Sequence, residues 1–409
     1  MDINMQKIEG GVCAARGFFA AGIHCGVRKN KDKLDLAMIY SDKRCAAAAV
    51  YTTNKVKGAP IAVTKRNIAD GYAQAVVCNS GNANTCTACG ESKAETMCKS
   101  AGKALGIEAE DVIPASTGVI GLPLNIDAIT EGMPALAKKL SNEGSAEANQ
   151  AIMTTDTREK SIAYKFNIGG SECRIGAIAK GSGMIHPNMA TMLCFITTDA
   201  AIAPAVLQAA LSDVVKDTFN MVSVDGDTST NDMTCVLANG EAGNKEISEI
   251  GSEGYEAFKK ALFETSRYIS REMARDGEGA TKLIECKVNG AATKEDAKTA
   301  ARAVVSSSLF KAAAFGADAN WGRILCALGY SGAEFDPTKT DVTMSSAKGE
   351  LLVCKGGSSV EFDEDFAKEM LSEDEIVVAV ELNNGECCAE AWGCDLTYDY
   401  VKINGDYRT

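Results

Sequence analysis

One stretch near the middle of the 409-residue chain concentrates groups that could do chemistry: Lys180-Gly-Ser-Gly-Met-Ile-His-Pro-Asn-Met-Ala-Thr191. It holds a lysine, one of only two histidines, a proline and two glycines, and it ends on Ala190–Thr191. A hydroxyl is a weak nucleophile unless a base stands beside it. Thr191 could supply both groups. Its Oγ1 could attack the Ala190 carbonyl and form an ester by N-to-O shift, and water would then release a new α-amine. With an ordinary pKa of about 8, that amine can act as base for the hydroxyl of the same residue. Lys180 close by would disfavour a second positive charge and keep the amine neutral. An Ala-Thr pair is weak evidence on its own, and a plain turn between two strands is the alternative.

Other segments offer partners for such a nucleophile. Val112-Ile-Pro-Ala-Ser-Thr117-Gly118 is a short apolar run ending in a hydroxyl beside a glycine. A hydroxyl and a neighbouring N–H can form a two-donor anion hole, or merely a tight turn. Asn79–Asn84 follows an apolar strand and precedes a helix, where loops often face a ligand. Met153-Thr154-Thr155-Asp156-Thr157 can bind a substrate through its hydroxyls or cap its neighbours. Glu278 lies between two glycines at a helix-to-strand corner and suits either a ligand-facing carboxylate or a solvated turn. Ser223–Asp232 is rich in acids and hydroxyls but lacks the glutamate of a calcium loop, so it reads as a structured polar loop. His24 reads as a packed or surface residue.

The elements that position these groups can be placed by periodicity. Alternation predicts strands at Leu34–Tyr40, Ala46–Asn54, Ile61–Thr64, Ala75–Cys78, Ile162–Ile168, Cys173–Lys180, Met192–Thr198, Lys282–Val288 and Ile376–Leu382. An antiparallel pair is expected to turn through Gly169–Gly170. Helical spacing predicts Gly90–Leu105, Ile126–Leu140, 145–153, a helix opened by Pro204, Gly254–Ala274 and Thr293–Val305. Phe315–Arg323 reads as a glycine-spaced polar loop, and the acidic run Glu361–Glu375 as a solvated helical face. The aromatic-rich end, Leu396–Thr409, reads as a strand that ties the terminus down. Short strands alternating with helices give an α/β or α+β fold with mixed sheets.

Composition bounds the function. Apolar residues make up 46% and charged residues 24%, as in a globular protein. A net charge of −13 argues against a nucleic-acid surface. No run of about 18 apolar residues suggests a membrane span, and no signal peptide is legible, so the expected compartment is the cytoplasm. The 16 cysteines are scattered through apolar runs and read as reduced core residues. The one Cys-x-x-Cys, Cys86 and Cys89, has no second pair at zinc-finger spacing, and two histidines starve a metal site. No metal is therefore expected.

Taken together the motifs resemble the ornithine acetyltransferase family, the glutamate N-acetyltransferases of arginine biosynthesis, over nearly the whole chain. The resemblance rests on Lys180–Thr191, on Ser223-Val-Asp-Gly-Asp-Thr-Ser-Thr-Asn-Asp232, on Asp276-Gly-Glu-Gly-Ala-Thr281, on Asn320-Trp-Gly-Arg323 and on Tyr398-Asp-Tyr-Val-Lys-Ile-Asn404. It departs at Ala88-Cys-Gly90, where Thr-Gly is expected. It implies a self-processing fold in which cleavage between Ala190 and Thr191 gives chains 1–190 and 191–409, paired as an α2β2 heterotetramer. It implies that Thr191 is the nucleophile for cleavage and transfer, and that the Thr117 hydroxyl and Gly118 N–H form an oxyanion hole. Thr154, Lys180, Thr191, Glu278, Asn404 and Thr409 would contact the amino-acid substrate, with Thr155 not separable from Thr154. His186 falls at an unspecified motif position and leaves the list of catalysts. The implied reaction is ping-pong: Thr191 takes acetyl from N-acetylornithine, ornithine leaves, and glutamate accepts the group. One amide replaces another, so no cofactor is required, while acetyl-CoA as an additional donor stays open. An amidase or aminopeptidase using the same threonine is the alternative.

Overall fold

A computed structural model describes residues 5–186 and 192–405. The chain divides into two compact units, one of residues 1–181, 188–216 and 228–269, the other of 182–187, 217–227 and 270–409. The units are therefore not the two halves of the sequence.

The first unit is built on a mixed sheet that has nine strands among the described residues. Its order is Gln6–Ile8, Lys160–Ile168, Ser171–Lys180, Leu193–Thr198, Met233–Ala238, Leu36–Tyr51, Tyr72–Asn79 and Val112–Ser116, with Phe18–Ile23 also paired to Leu36–Tyr51. Lys160–Ile168 and Ser171–Lys180 form the expected hairpin, with Ile168 opposite Ser171. Lys180 lies opposite Leu193, so the stretch from Gly181 to Met192 connects two neighbouring antiparallel strands. Tyr72–Asn79 and Val112–Ser116 run parallel and finish level, Asn79 beside Ser116. Helices Gly90–Leu105 and Ile126–Lys139 cover one side of these strands, burying Met97, Ile129, Met133 and Leu136. On the stripe of Glu253–Arg275, Phe258, Leu262 and Ile269 are all buried, as their spacing requires.

Two expectations for this unit fail for physical reasons. Leu34–Tyr40 and Ala46–Asn54 are one strand, Leu36–Tyr51, with a register irregularity between Tyr40 and Cys45. The exposed Asp42-Lys43-Arg44 interrupts its apolar pattern without ending it. Ile61–Thr64 lies in a helix, Ala59–Asn67. Pro60 is preset for the first helical turn, and burial of Ile61, Val63 and Thr64 on one face overrides the β-branched preference.

The second unit carries a seven-stranded sheet among the described residues, in the order Ser358–Ser359, Gly349–Lys355, Asp341–Ser346, Glu375–Glu381, Leu283–Ala291, Cys387–Cys394 and Val222–Ser223. Helices Lys294–Ser306, Ser308–Phe315 and Trp321–Gly329 bury Val304, Phe310 and Ile324 in its core, which also holds Trp392. Sequence reading missed the last two of these helices and the strands Asp341–Ser346, Gly349–Lys355 and Cys387–Cys394. Only the first part of Phe315–Arg323 is a loop, since Asn320 caps the helix that Trp321 begins. The C-terminal segment is a helix, Tyr398–Gly405, not a strand. Its apolar residues do not alternate into a core: Tyr398 and Val401 are exposed.

Lys282 shows how this unit satisfies its helix ends. Its buried ammonium donates to the carbonyls of Ala314 and Leu371, both at 2.7 Å, where helices Ser308–Phe315 and Glu364–Met370 finish. Burial lowers its pKa, opposed by nearby Asp395. Lys282→Met takes the ammonium donor from the Leu371 carbonyl, whereas Ala314 keeps the Ala317 N–H at 3.1 Å, and a stranded buried acceptor costs about 1–3 kcal/mol. Urea unfolding should show a loss of about 1–3 kcal/mol from that one carbonyl.

Candidate active site

In the first unit the loops after the two parallel strands are tied into one framework. The Ser116 hydroxyl donates to Asn79 Oδ1 at 2.6 Å, and Asn79 Nδ2 donates to the Asn82 carbonyl at 2.9 Å. Asn231, just ahead of the strand Met233–Ala238, donates to the carbonyls of Ala83 and Ser116 at 2.6 and 2.9 Å. Its side-chain Oδ1 accepts from the Thr85 and Thr230 hydroxyls, each at 2.6 Å. Thr117 continues the frame through its N–H to the Asn79 carbonyl. Gly118 then turns at φ +129°, a left-handed value that L side chains rarely adopt. A Cβ there would lie 2.4 Å from the Gly81 carbonyl carbon, so glycine is required. Among the described residues, no hydrogen bond engages the Thr117 hydroxyl or the Gly118 N–H. Two adjacent donors on a braced turn are thus left for another acceptor.

A second cluster joins Thr154 to Lys180. The Asp156 and Lys160 side chains have no exposed area and pair at 2.8 Å. Asp156 also accepts the N–H of Thr154 at 2.9 Å and of Gly181 at 2.6 Å. Burial opposes its ionisation, but Lys160 and Lys180 overcome this and hold the carboxyl well below the usual range. Asp156 therefore fixes the backbone at Thr154 and at Gly181, next to Lys180, two of the positions that sequence reading proposed as substrate contacts being Thr154 and Lys180. Sequence reading placed Asp156 in a hydroxyl-rich cluster without giving it a role. The signal available was an i, i+4 acid–lysine spacing inside an irregular segment.

Asp232, one residue beyond Asn231, is also buried. Burial pushes its carboxyl well above the ordinary range, against the influence of Ser229, Lys180 and Thr52. It was read only as the last residue of a polar loop.

In the second unit Glu278 is 8% exposed. Its N–H donates to the Ser182 carbonyl at 2.9 Å, and Oε2 accepts from Asn404 Nδ2 at 2.8 Å. Gly183 lies against the carboxylate, where an added Cβ would come within 2.3 Å of it. The helix bearing Asn404 is held by Thr397, whose hydroxyl donates to the Gly279 carbonyl at 2.6 Å. The helix Tyr398–Gly405 is thus anchored, and the expectation for the terminus itself falls on residues 406–409, outside the described residues.

Asp225 accepts the N–H groups of Met184 and Ile185 at 2.6 and 2.8 Å and lies 3.4 Å from the Tyr400 hydroxyl. The loop is a structured polar one, and no cluster of three metal-ligating side chains occurs among the described residues. His186 packs with Ser223 at 3.0 Å and Arg302 at 3.4 Å. Burial and then the Arg302 charge lower its pKa.

Ala190, Thr191 and Thr409 lie outside the described residues. Of the other proposed residues, Thr117, Gly118, Thr154 and Lys180 belong to the first unit and Glu278 and Asn404 to the second. Among the described residues no helix is long and apolar enough to cross a membrane.

Mixed sheets packed with helices, with two adjacent unengaged donors on a braced turn, define an α/β protein. The sequence model of the ArgJ family matches residues 19–409, and the chain belongs to that family. It is 55% identical over 407 residues to the arginine biosynthesis bifunctional protein ArgJ of Symbiobacterium thermophilum, covering 99% of this chain and 100% of that one. The protein of the same description from Caldanaerobacter subterraneus is 51% identical over 406 residues, covering 99% and 100%. A solved structure of ornithine acetyltransferase from Mycobacterium tuberculosis, complexed with ornithine, is 32% identical over 46% of this chain and 100% of that chain, with a TM-score of 0.42.

Proposed function

We propose that this protein is an acetyltransferase of arginine biosynthesis that moves acetyl from N-acetylornithine to glutamate. The description shared by its near full-length relatives supports the pathway, and the word bifunctional in it supports acetyl-CoA as a second acetyl donor. The structural observation that carries the chemistry is the pair of unengaged donors at Thr117–Gly118 on a turn only glycine can make.

In this reading the chain cleaves between Ala190 and Thr191 and works as chains 1–190 and 191–409, assembled as an α2β2 heterotetramer in the cytoplasm. Thr191 Oγ1 attacks the acetyl carbonyl of N-acetylornithine, and its α-amine takes the hydroxyl proton. Negative charge collects on the former carbonyl oxygen, where the Thr117 hydroxyl and Gly118 N–H stabilise it. Collapse expels ornithine, protonated by the α-amine, and leaves an acetyl ester on Thr191. The glutamate amine then attacks that ester and regenerates the hydroxyl. Lys180, Glu278, Asn404, Thr409 and Thr154 recognise the charged ends of the amino acids. Amide is exchanged for amide, so no cofactor enters the balance.

Removing one oxyanion donor typically costs about 10²–10³ in kcat. Thr117→Ala should therefore lower transfer from N-acetylornithine by about that factor with little change in thermal midpoint, and Thr117→Ser should restore most of it. An unchanged rate in Thr117→Ala would remove the oxyanion role. Free acetate as the main product, in place of N-acetylglutamate, would replace the transferase reading with an amidase. Acetyl-CoA supplied with glutamate tests the second donor directly.

A further inference from the structure

We propose that Cys86 and Cys89 form a dithiol–disulfide site, a point of reversible oxidation on the first unit. Both thiols are free and exposed, and both line one cavity of ≈460 Å3 with Lys57, Thr87 and Glu91. They belong to a turn in which three non-glycine residues, Asn84, Cys86 and Cys89, have left-handed φ values of 50, 55 and 59°. Such values are uncommon outside glycine, and of the three only asparagine tolerates them readily. Cys89 also stands at the N-cap of helix Gly90–Leu105 and makes no side-chain cap bond. A serine or aspartate there would stabilise the helix, typically by about 1 kcal/mol over a residue that cannot cap. Among the described residues neither sulfur makes a hydrogen bond. The two cysteines thus occupy strained backbone positions without a packing or capping role, which is the opposite of the buried cysteines elsewhere in the chain.

The turn is held at both ends. The Asn84 carbonyl accepts from the Ala59 N–H at 3.0 Å, and its side chain donates to the Gly90 carbonyl at 2.9 Å and accepts from the Thr87 hydroxyl at 3.3 Å. Two thiols three residues apart on a pinned turn lose little freedom on joining. Lys57 places a positive charge in the cavity, where it favours the carboxylates of glutathione. With glutathione disulfide as oxidant, one thiolate attacks a sulfur and expels a glutathione thiolate. The second thiolate attacks the protein sulfur of the mixed disulfide and expels the other glutathione. Two thiols lose two electrons and two protons, and one glutathione disulfide becomes two glutathiones. In a reducing compartment such a bond is transient, as redox-sensing bonds are.

The site is coupled to the Thr117–Gly118 loop. Thr85 accepts the Gly121 N–H through its carbonyl at 3.0 Å and donates its hydroxyl to Asn231, which holds the Ser116 carbonyl. Oxidation should therefore lower acetyl transfer, an effect that rests on the function proposed above, whereas the disulfide itself does not.

The test is to incubate the reduced full-length protein with glutathione disulfide, alkylate the remaining thiols and map the peptides by mass. The expected result is a peptide holding Cys86 and Cys89 that has lost two hydrogens and escapes alkylation, before the exposed Cys326 and Cys388 react. Cys86→Ser should then carry a single glutathione on Cys89. Both thiols alkylated, or a separate glutathione on each in the wild type, would overturn the site. Turnover of the mapped disulfide form should fall at least threefold and recover with reductant; full disulfide with unchanged turnover would overturn the coupling alone.

Discussion

Replacing Thr191 with alanine should leave one uncut chain of 409 residues and abolish acetyl transfer. The same oxygen performs both reactions in the proposed mechanism. Without it no N-to-O shift can begin, so the peptide bond to Ala190 survives and no α-amine appears. The variant then lacks nucleophile and base together. Loss of a nucleophile that works as one unit with its base costs on the order of 10⁴-fold or more in turnover. Denaturing mass measurement of the wild type should give fragments 1–190 and 191–409, and Thr191→Ala a single species. A folded Thr191→Ala protein that is still cut before residue 191, or still transfers acetyl, would refute the assignment. Thr191→Ser separates loss of the hydroxyl from loss of shape: it keeps the nucleophile and should still yield two fragments.

What the sequence disclosed follows from how local each signal is. Gly90–Leu105 and the hairpin through Gly169–Gly170 were legible because their periodicity and turn residues are contained in one window. Ile61–Thr64 was misread because four β-branched and small residues look alike in either state, and only burial against Pro114, whose carbonyl accepts from Thr64, decides for helix. The C-terminal Tyr398–Gly405 was misread because its aromatic residues suggest a strand, yet the sheet has no place for them and Tyr398 is 85% exposed. Thr117–Gly118 could be nominated from residue type. That Gly118 must be glycine depends on Gly81, 37 positions earlier, approaching within contact distance across two loops. Asn231 was invisible as a brace for the same reason, since its partners Ala83 and Ser116 lie over a hundred residues away. Asp156 shows the limit most sharply. An aspartate among threonines looks like a solvent-facing cap until burial makes it a charge centre.

That burial sets the second large effect. Asp156→Asn should destabilise the protein by about 3–5 kcal/mol, the usual result of removing one member of a buried ion pair. Asparagine keeps the shape and one acceptor for the Gly181 N–H, but it removes the carboxylate that pairs with the buried Lys160 ammonium at 2.8 Å. Lys160→Met alone should do comparable harm by taking the 2.8 Å ion-pair partner from the buried carboxylate. The double variant should be less destabilised than the two losses added together, since the pair is then removed whole and not halved. The pH dependence has a definite sign. The folded pKa of Asp156 lies below its unfolded value near 3.8. Its contribution is therefore present above about pH 4 and is lost as the pH falls further toward the folded pKa. Urea midpoints measured from pH 6 down to 2 should fall more steeply in the wild type than in Asp156→Asn, and the two curves should draw closer toward the acid end. Parallel curves would mean that Asp156 is not ionised in the folded protein, and additive losses in the double variant would mean that the pair does not act as one unit. Because the same carboxylate accepts the backbone N–H groups of Thr154 and Gly181, its loss also releases the segments on which Thr154 and Lys180 stand. At temperatures where Asp156→Asn remains folded, KM for N-acetylornithine should therefore rise, and Asp156→Glu, which restores charge but not length, should recover stability more than KM.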